Sequence, residues 1–473
     1  MGFFSKNICE ISPPKLTNNP SLDVIVTETT PLLSFRNATG GSNRQYEIEL
    51  DTSANFDSPD LISYLIKENG EQITDKKVEP NHALKDKTQY FWRARAVSGG
   101  LKSEWDSSRF FVDISSDDSF MNLTRAKIEN IEVSAGYNAK NIIDYDDPGL
   151  VTFWQSPPPG DEHPWVKFDL GDVKEISRMW VLSNQNDPDG WLKDFYLELS
   201  QDNEDWQKVP GSEVNDNNSF RNILDFPKVS ARYFRLAITD FIGYAAQLNE
   251  VILYSPGKPA IPTPPKEDYV LVIGNEHNGF TFTDLAKKIE SLDLNLETLC
   301  VPYYEASLEM VNSLTKKPVA IVLSGNNADY PNLPMFEHNG EFEIIRKSEI
   351  PILGICAGHQ FLAMAYGYTR ARSMGWSDIS AMEPKRKMTK IEILEDDPVF
   401  SGIKNNFIGP EIHGWAVVEP AEEFEIIAKS TYIQTQKSTK RLIYGVQFHP
   451  EINVPYNEGQ ALIKNFLKMA IEK

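Results

Sequence analysis

The amino-acid sequence predicts a multidomain chain: two all-β modules of sandwich or jelly-roll type, followed by one α/β domain on a mostly parallel sheet. Three observations carry this. The chain has 473 residues, and at roughly 150 residues per domain that length suggests about three domains. Five prolines fall between Pro256 and Pro265, in SPGKPAIPTPPKED; proline fixes φ and lacks an amide donor, so the stretch reads as a semi-rigid spacer. The hydrophobic pattern changes across it. Seven of the nine tryptophans and most of the alternating apolar/polar segments precede the spacer. After it, continuous apolar runs alternate with helical spacing, the pattern of a parallel α/β sheet.

The elements follow in order. Residues 1–20 read as a polar leader or linker containing Pro13, Pro14 and Pro20. This stretch has no apolar segment of the signal-peptide kind. Gly2 does not make a myristoylation site, because Lys6 stands where that motif wants Ser or Thr. Over 21–114 the runs SLDVIV, RQYEIELD, QYFWRARAV and SRFFVD alternate with period two between turn residues, which predicts a β-sandwich. Residues 118–255 form a second β-rich block, 256–267 the spacer, and 268–473 the α/β domain. In that last domain YVLVIG is a buried strand and FTDLAKKIESLDLN is helical. PVAIVLSG and PILGICAG are two further buried strands ending in glycine.

Composition narrows the function classes. With 47 Lys+Arg against 68 Asp+Glu the formal net charge is −21, which argues against a nucleic-acid footprint, since phosphate binding needs clustered positive charge. No apolar run approaches the roughly 18 residues needed to span a bilayer. Three cysteines, Cys9, Cys300 and Cys356, are too few for a disulfide framework or a zinc site.

The segment YFWRARAVSGGLKSEWDSSRFFV resembles the last two strands of a fibronectin type III module, with Trp92 as the buried strand aromatic and Trp105 past the turn. Within it, Ser98-Gly99-Gly100-Leu101-Lys102-Ser103 resembles the pyrophosphate loop of ATP-dependent amidating enzymes. Lys102 replaces that loop's Asp, and a hairpin turn is the better reading. In the second block NAKNIIDYDDPGLVTFWQS, PWVKFDLG, LKDFYLELSQDNEDWQKV and ARYFRLAITDFIGYAAQLNEVILY resemble, in that order, a discoidin-like jelly roll, the family that includes many carbohydrate-binding modules. The resemblance implies one structural Ca²⁺, with Asp147, Thr152 and Glu250 at the matching positions. Hard oxygen ligands from distant segments suit that ion; solvated acids are the competing reading. Trp154, Trp165 and Trp191 are candidates to stack on sugar rings, against a core role for each. The resemblance implies a glycan or protein ligand without naming one.

The chemistry sits in the α/β domain, where ligands bind at the carboxyl ends of strands. In Pro351-Ile352-Leu353-Gly354-Ile355-Cys356-Ala357-Gly358-His359-Gln360 a buried strand enters a tight turn with glycine two residues either side of cysteine, then a helical run. This is a nucleophile elbow with cysteine in place of serine, and the helix N-terminus behind Cys356 favours thiolate. A second constellation, Tyr444-Gly445-Val446-Gln447-Phe448-His449-Pro450-Glu451, follows about 90 residues later. In an extended segment residues i and i+2 share a face, so His449 and Glu451 pair, and the carboxylate orients the imidazole toward the cysteine.

GICAGHQ together with YGVQFHPE resembles the class I glutamine amidotransferases, a Cys-His-Glu family, and within it most closely the glutaminase subunits of GMP synthase. The resemblance covers roughly 269–473 and implies a flavodoxin-like sheet. By matching position it implies Cys356 as nucleophile, His449 as general base then acid, and Glu451 as its orienter. It implies oxyanion donors from the backbone of Ala357 and of Asn326, substrate contacts at Gly325, Gln360, Gly414 and Trp415, and no catalytic cofactor. Two positions depart from the family pattern. The loop Ser324-Gly325-Asn326-Asn327 stands where SGGP is usual, and at Asn326 a positive φ would strain asparagine less than most residues. Ile412 precedes His413-Gly414-Trp415 where Ser or Asn is usual. Both departures put the substrate, glutamine or another γ-glutamyl compound, in question.

Three readings follow. The first is a glutaminase supplying ammonia to a separate synthetase, the second a self-contained γ-glutamyl hydrolase, the third a surface carbohydrate-binding protein with a passenger domain. Lack of a signal peptide favours the cytoplasm; fused β modules favour an exported or surface setting.

Overall fold

The computed structural model describes the chain except residues 1–10, 20–23, 27, 54, 71–72, 87, 113–122, 146–151, 159–162, 185, 218, 278–281, 329, 369–378, 419 and 422. The first module is a two-sheet sandwich. Lys15–Asn19, Leu32–Arg36 and Ile73–Lys77 form one sheet; Val24–Val26, Asp106–Val112, Thr88–Ser98, Gln45–Asp51 and Ile62–Lys67 form the other in that spatial order. The sandwich therefore starts earlier than residue 21: Lys15 pairs with Arg36, so part of the expected leader is a strand. Alternate residues fill the core, among them Phe35, Ile48, Leu50, Trp92 and Phe110. Trp105 lies outside, its ring covered by the guanidinium groups of Arg93 and Arg95 at 4.4 and 4.2 Å. Ser98 to Leu101 is a hairpin turn with Gly99 and Gly100 at φ +57° and +86°, conformations that glycine adopts without a β-carbon penalty.

The second module is an antiparallel eight-stranded jelly roll dominated by Trp165–Ser183, Arg221–Phe241 and Gln247–Pro256. Its core contains Trp154, Phe168, Leu197, Phe234, Val251 and Leu253. The strand Gln247–Pro256 is buried on both faces. Val251 and Leu253 point into the jelly roll, whereas Ile252 and Tyr254, with Trp180 and Leu182, pack against Phe336 of the third domain. The two domains thus share an apolar seam.

Strands and helices of the third domain are labelled within it. Its nine-stranded sheet runs β2 (Glu297–Pro302), β1 (Tyr269–Gly274), β3 (Ala320–Leu323), β4 (Ile352–Ile355), β9 (Ile443–Val446), β8 (Ile433–Ser438), β7 (Phe424–Lys429), β5 (Ile379–Ile393), β6 (Phe407–Val417). The first five are parallel and the remainder antiparallel. Apolar clusters cover both faces of the parallel part. That burial explains why β1, β3 and β4 are uninterrupted apolar runs. Helices α1 (Phe282–Glu290), α2 (Leu308–Ser313), α3 (Asn339–Lys347), α4 (Ala357–Tyr368) and α5 (Ala461–Ile471) supply those clusters. Among the described residues no helix is long and apolar enough to cross a membrane.

Candidate active site

Cys356 stands between β4 and α4 at φ +52°, a left-handed conformation that a side-chain-bearing residue adopts only at a cost. The surroundings enforce it. Its N–H donates to Val446 O on β9 at 2.7 Å, and its carbonyl accepts from Gln360 N at 3.1 Å. Both flanking glycines are sterically required. A β-carbon on Gly354 would stand 2.4 Å from Gly358 O, and one on Gly358 would stand 2.6 Å from Leu323 O. Ala357 opens α4, where backbone N–H groups lack intrahelical partners. Gly358 N donates to Ser324 O at 3.1 Å, tying the elbow to the loop after β3.

His449 and Glu451 follow β9 in a turn, not in extended chain. They meet all the same, Nδ1 lying 2.6 Å from Glu451 Oε1. The turn is pinned by Asn457, whose Nδ2 donates to the carbonyls of His449 at 3.0 Å and Ile452 at 2.8 Å. Burial works to lower the His449 pKa, but the charges of Glu451 and Cys356 and the hydrogen bonds to both outweigh it and hold the imidazole well above its ordinary 6.5. The carbonyl of Ile412 lies 3.4 Å from His449 Nε2 and 3.6 Å from Cys356 Sγ.

Gly325 is packed over the cysteine: a β-carbon there would stand 3.3 Å from His449 Cε1 and 4.0 Å from Cys356 Sγ. Asn326 does not adopt a positive φ; the left-handed residue of the site is Cys356. The Asn326 side chain closes a local turn by accepting from Ala328 N at 2.5 Å. Its Nδ2 is buried without a protein partner. Gln360, expected to hold substrate, is almost wholly buried. Its Nε2 donates to Trp415 O at 2.5 Å and Gln447 Oε1 at 2.9 Å, while Tyr330 OH donates to its Oε1. His413 Nδ1 also reaches Trp415 O, at 3.0 Å. Gln360 and Trp415 are therefore joined to one another. The open cleft, about 580 Å³, is lined by Gly325, Asn326, Ile412 and His449 together with Lys287 and Lys288 of α1.

The calcium positions fall differently. Asp147 lies outside the described residues. Thr152 offers its carbonyl to Asn249 Nδ2 at 3.0 Å. Glu250 is turned into the seam with the third domain, both carboxylate oxygens within 2.8 and 2.9 Å of His277 Nε2. Burial pushes the Glu250 carboxyl up and the His277 imidazole down. Among the described residues no three His, Cys, Asp or Glu side chains cluster as a metal site needs. Trp154 is a core residue with Nε1 donating to Ala135 O at 3.2 Å. Trp191 is half-buried, with Nε1 donating to Asn184 O at 2.7 Å, and Trp165 is half-buried near Arg235.

Sequence reasoning missed Asn275, Glu276 and His277: Glu276 lines the cleft, Asn275 bonds Ser324 behind it, and His277 faces the second module. They stand directly after the apolar run of β1, a strand end that the parallel-sheet rule flags as clearly as those of β3 and β4.

A parallel five-stranded half-sheet extended by antiparallel strands, with a cysteine elbow facing a carboxylate-held imidazole, defines a class, and comparison with known proteins places the chain in it. The family model for class I glutamine amidotransferases matches residues 281–470. A relative, one of the subunits of the glutamine-hydrolysing GMP synthase of Methanothermobacter thermautotrophicus, is 32% identical over 162 residues, covering 32% of this chain and 75% of the relative. The corresponding GMP synthase protein of Methanobrevibacter smithii is 33% identical over 185 residues, covering 37% of this chain and 84% of that protein. Through its C-terminal domain the chain belongs to the class I glutamine amidotransferase family. The F5/8 type C (discoidin-like) family matches residues 127–251. A solved structure similar to that module is the family 32 carbohydrate-binding module of Clostridium perfringens NanJ, at 15% identity and TM-score 0.25, covering 28% of this chain and 99% of that one.

Proposed function

We propose that this chain is a glutamine amidohydrolase working through Cys356, His449 and Glu451. The single observation that carries the proposal is His449, held at 2.6 Å by Glu451 and kept basic by Glu451 and Cys356, beside a cysteine locked at φ +52°. Family membership supports the amide substrate. His449 takes the proton of the Cys356 thiol, and the thiolate attacks the side-chain carbonyl carbon of glutamine. The oxyanion faces the N–H groups at Ala357 and at the Gly325–Asn326 turn. The C–N bond breaks as His449 returns the proton to nitrogen, releasing ammonia and leaving a γ-glutamyl thioester on Cys356. Water, deprotonated by His449, then attacks the thioester, freeing glutamate and restoring the thiol. No cofactor is needed for these steps.

The ammonia acceptor would be a separate synthetase. A self-contained γ-glutamyl hydrolase is the second reading, and the cleft favours it. Its volume of about 580 Å³ and its extension toward Lys287 and Lys288 leave room for more than glutamine. For the first module we propose a fibronectin type III-like fold, supported by its sheets: Val24–Val26 runs parallel to Asp106–Val112 while Lys15–Asn19 joins the opposite sheet. For the second we propose a glycan ligand. Tyr137 and Tyr244 are 75% and 49% exposed, and Tyr244 OH and Gln247 Nε2 converge on Asp187 at 3.0 and 2.7 Å. An aromatic face beside a carboxylate and an amide suits a sugar.

The test is release of glutamate and ammonia from glutamine by the purified chain beside Cys356→Ala. Equimolar products from the wild type alone support the proposal. Activity that needs an added synthetase supports the first reading over the second. No turnover of any γ-glutamyl compound, with glycan binding intact, would leave the carbohydrate-binding reading.

A further inference from the structure

Three consecutive residues after β1 face two ways. Asn275, fully buried, donates its N–H to Ser324 Oγ at 2.8 Å, and its Nδ2 donates to Ser324 O at 3.0 Å and Glu341 Oε1 at 3.1 Å. Glu276 Oε2 accepts from Asn327 N at 3.3 Å. Both ends of the Ser324–Asn327 loop are thereby held by residues 275 and 276. His277 reaches in the other direction, to the second module. Its Nδ1 lies 3.0 Å from Arg125 Nη2 and its Nε2 2.8 Å from Glu250 Oε1. A guanidinium has no lone pair to offer, so Nδ1 must accept from Arg125, and the imidazole proton sits on Nε2 and is donated to Glu250. Arg125 is itself fixed by Glu337 Oε1 and Oε2 at 2.8 and 2.5 Å and by Tyr303 OH at 2.7 Å. Tyr254 OH donates to Glu337 Oε1 at 2.8 Å.

We infer that Arg125 and Glu250 of the second module are positioning residues for the reaction in the third domain: through His277 they set residues 275–277, and so the Ser324–Asn327 loop that faces the oxyanion. The inference rests on the glutamine-hydrolysis reading. It gives the fused module a role beyond any ligand it binds. Adjacent residues are joined by rigid peptide planes, so a shift of His277 is passed to Asn275 and Glu276, and a misplacement of about 1 Å at a reacting centre costs on the order of 10²-fold in rate.

The test compares glutamine hydrolysis by the full chain and by Glu250→Leu, Glu250→Gln and Arg125→Lys, each first shown to be folded. Glu250→Leu, which leaves the His277 proton without an acceptor, is expected to lower kcat about tenfold or more with KM little changed, the signature of a lost transition-state interaction. Glu250→Gln keeps an acceptor oxygen and is expected to restore most of the rate. Combined with Ser324→Ala, Glu250→Leu should cost clearly less than the product of the two single effects. If Glu250→Leu does not fold, Arg125→Lys carries the test, because lysine keeps the charge opposite Glu337 and loses the fork that reaches His277 and Tyr303. A folded Glu250→Leu or Arg125→Lys with unchanged kcat, or strict additivity with Ser324→Ala, overturns the inference while wild-type turnover stands. A wild type that never hydrolyses glutamine overturns the underlying reading and this inference with it.

Discussion

Cys356 and His449 acquire their properties from a handful of neighbours, and each neighbour has a distinct expected effect. Glu451→Gln removes the carboxylate at 2.6 Å, so the His449 pKa should fall toward 6.5, read by NMR titration of the ring protons. The rate should fall on the order of 10²- to 10⁴-fold, the usual worth of a positioned acid–base group. The sign of the stability effect follows from the direction of the shift. A histidine whose folded-state pKa lies above its unfolded value stabilises the fold fully below the unfolded value and loses that contribution as pH rises through the folded one. The melting-temperature gap between wild type and Glu451→Gln should therefore be widest just below pH 6.5 and narrow as pH rises. A gap that widens with pH would contradict the assignment. That Cys356, His449 and Glu451 belong together was suggested by two short motifs and the resemblance they carry; the extended-chain geometry expected of His449 and Glu451 was not found, since they pair across a turn. The roles of Gln360 and Asn326 were not. Gln360 is occupied by Trp415, Gln447 and Tyr330, partners about 30 to 87 residues distant in sequence, and no local pattern announces them.

At the scale of elements, the β4–elbow–α4 unit depends on two glycines whose missing side chains let the ends of β3 and β4 and the start of α4 converge. Gly358→Ala would set a β-carbon 2.6 Å from the Leu323 carbonyl, backbone that cannot swing aside. We expect a loss of about 1–3 kcal/mol in stability, the range for overpacking, seen by denaturant unfolding, together with loss of turnover from a displaced elbow. Gly414→Ala is the contrasting change: a β-carbon there meets nothing within 4 Å, so stability should hold. The element boundaries show where sequence patterns mislead. Lys15–Asn19 (KLTNN) looked like leader because it lacks the apolar alternation of its neighbours, yet it pairs with Leu32–Arg36. The parallel strands were readable because burial on both faces leaves continuous apolar runs. The same logic applies to QLNEVILYSP, whose unbroken burial from Gln247 to Tyr254 reports a second domain packed against its outer face.

For the molecule as a whole, the seam between the second and third domains is the feature least legible in the sequence. It joins Arg125 to Glu337 across 212 positions, both side chains under 10% exposed. Removing one member of such a pair strands a buried charge, so Arg125→Met should cost about 3–5 kcal/mol, whereas Arg125→Met with Glu337→Met should recover much of that loss. Equal destabilisation by the single and double changes in chemical unfolding would contradict a coupled seam. What the molecule does turns on whether Cys356 carries the acyl group. Rapid quenching of the intact chain with glutamine, followed by mass analysis of its peptides, tests that most directly. One γ-glutamyl group per turning-over chain is expected on the peptide containing Cys356, and none on that containing Cys300. Glutamate release with Cys356 never acylated, or undiminished in Cys356→Ala, would contradict the proposed chemistry.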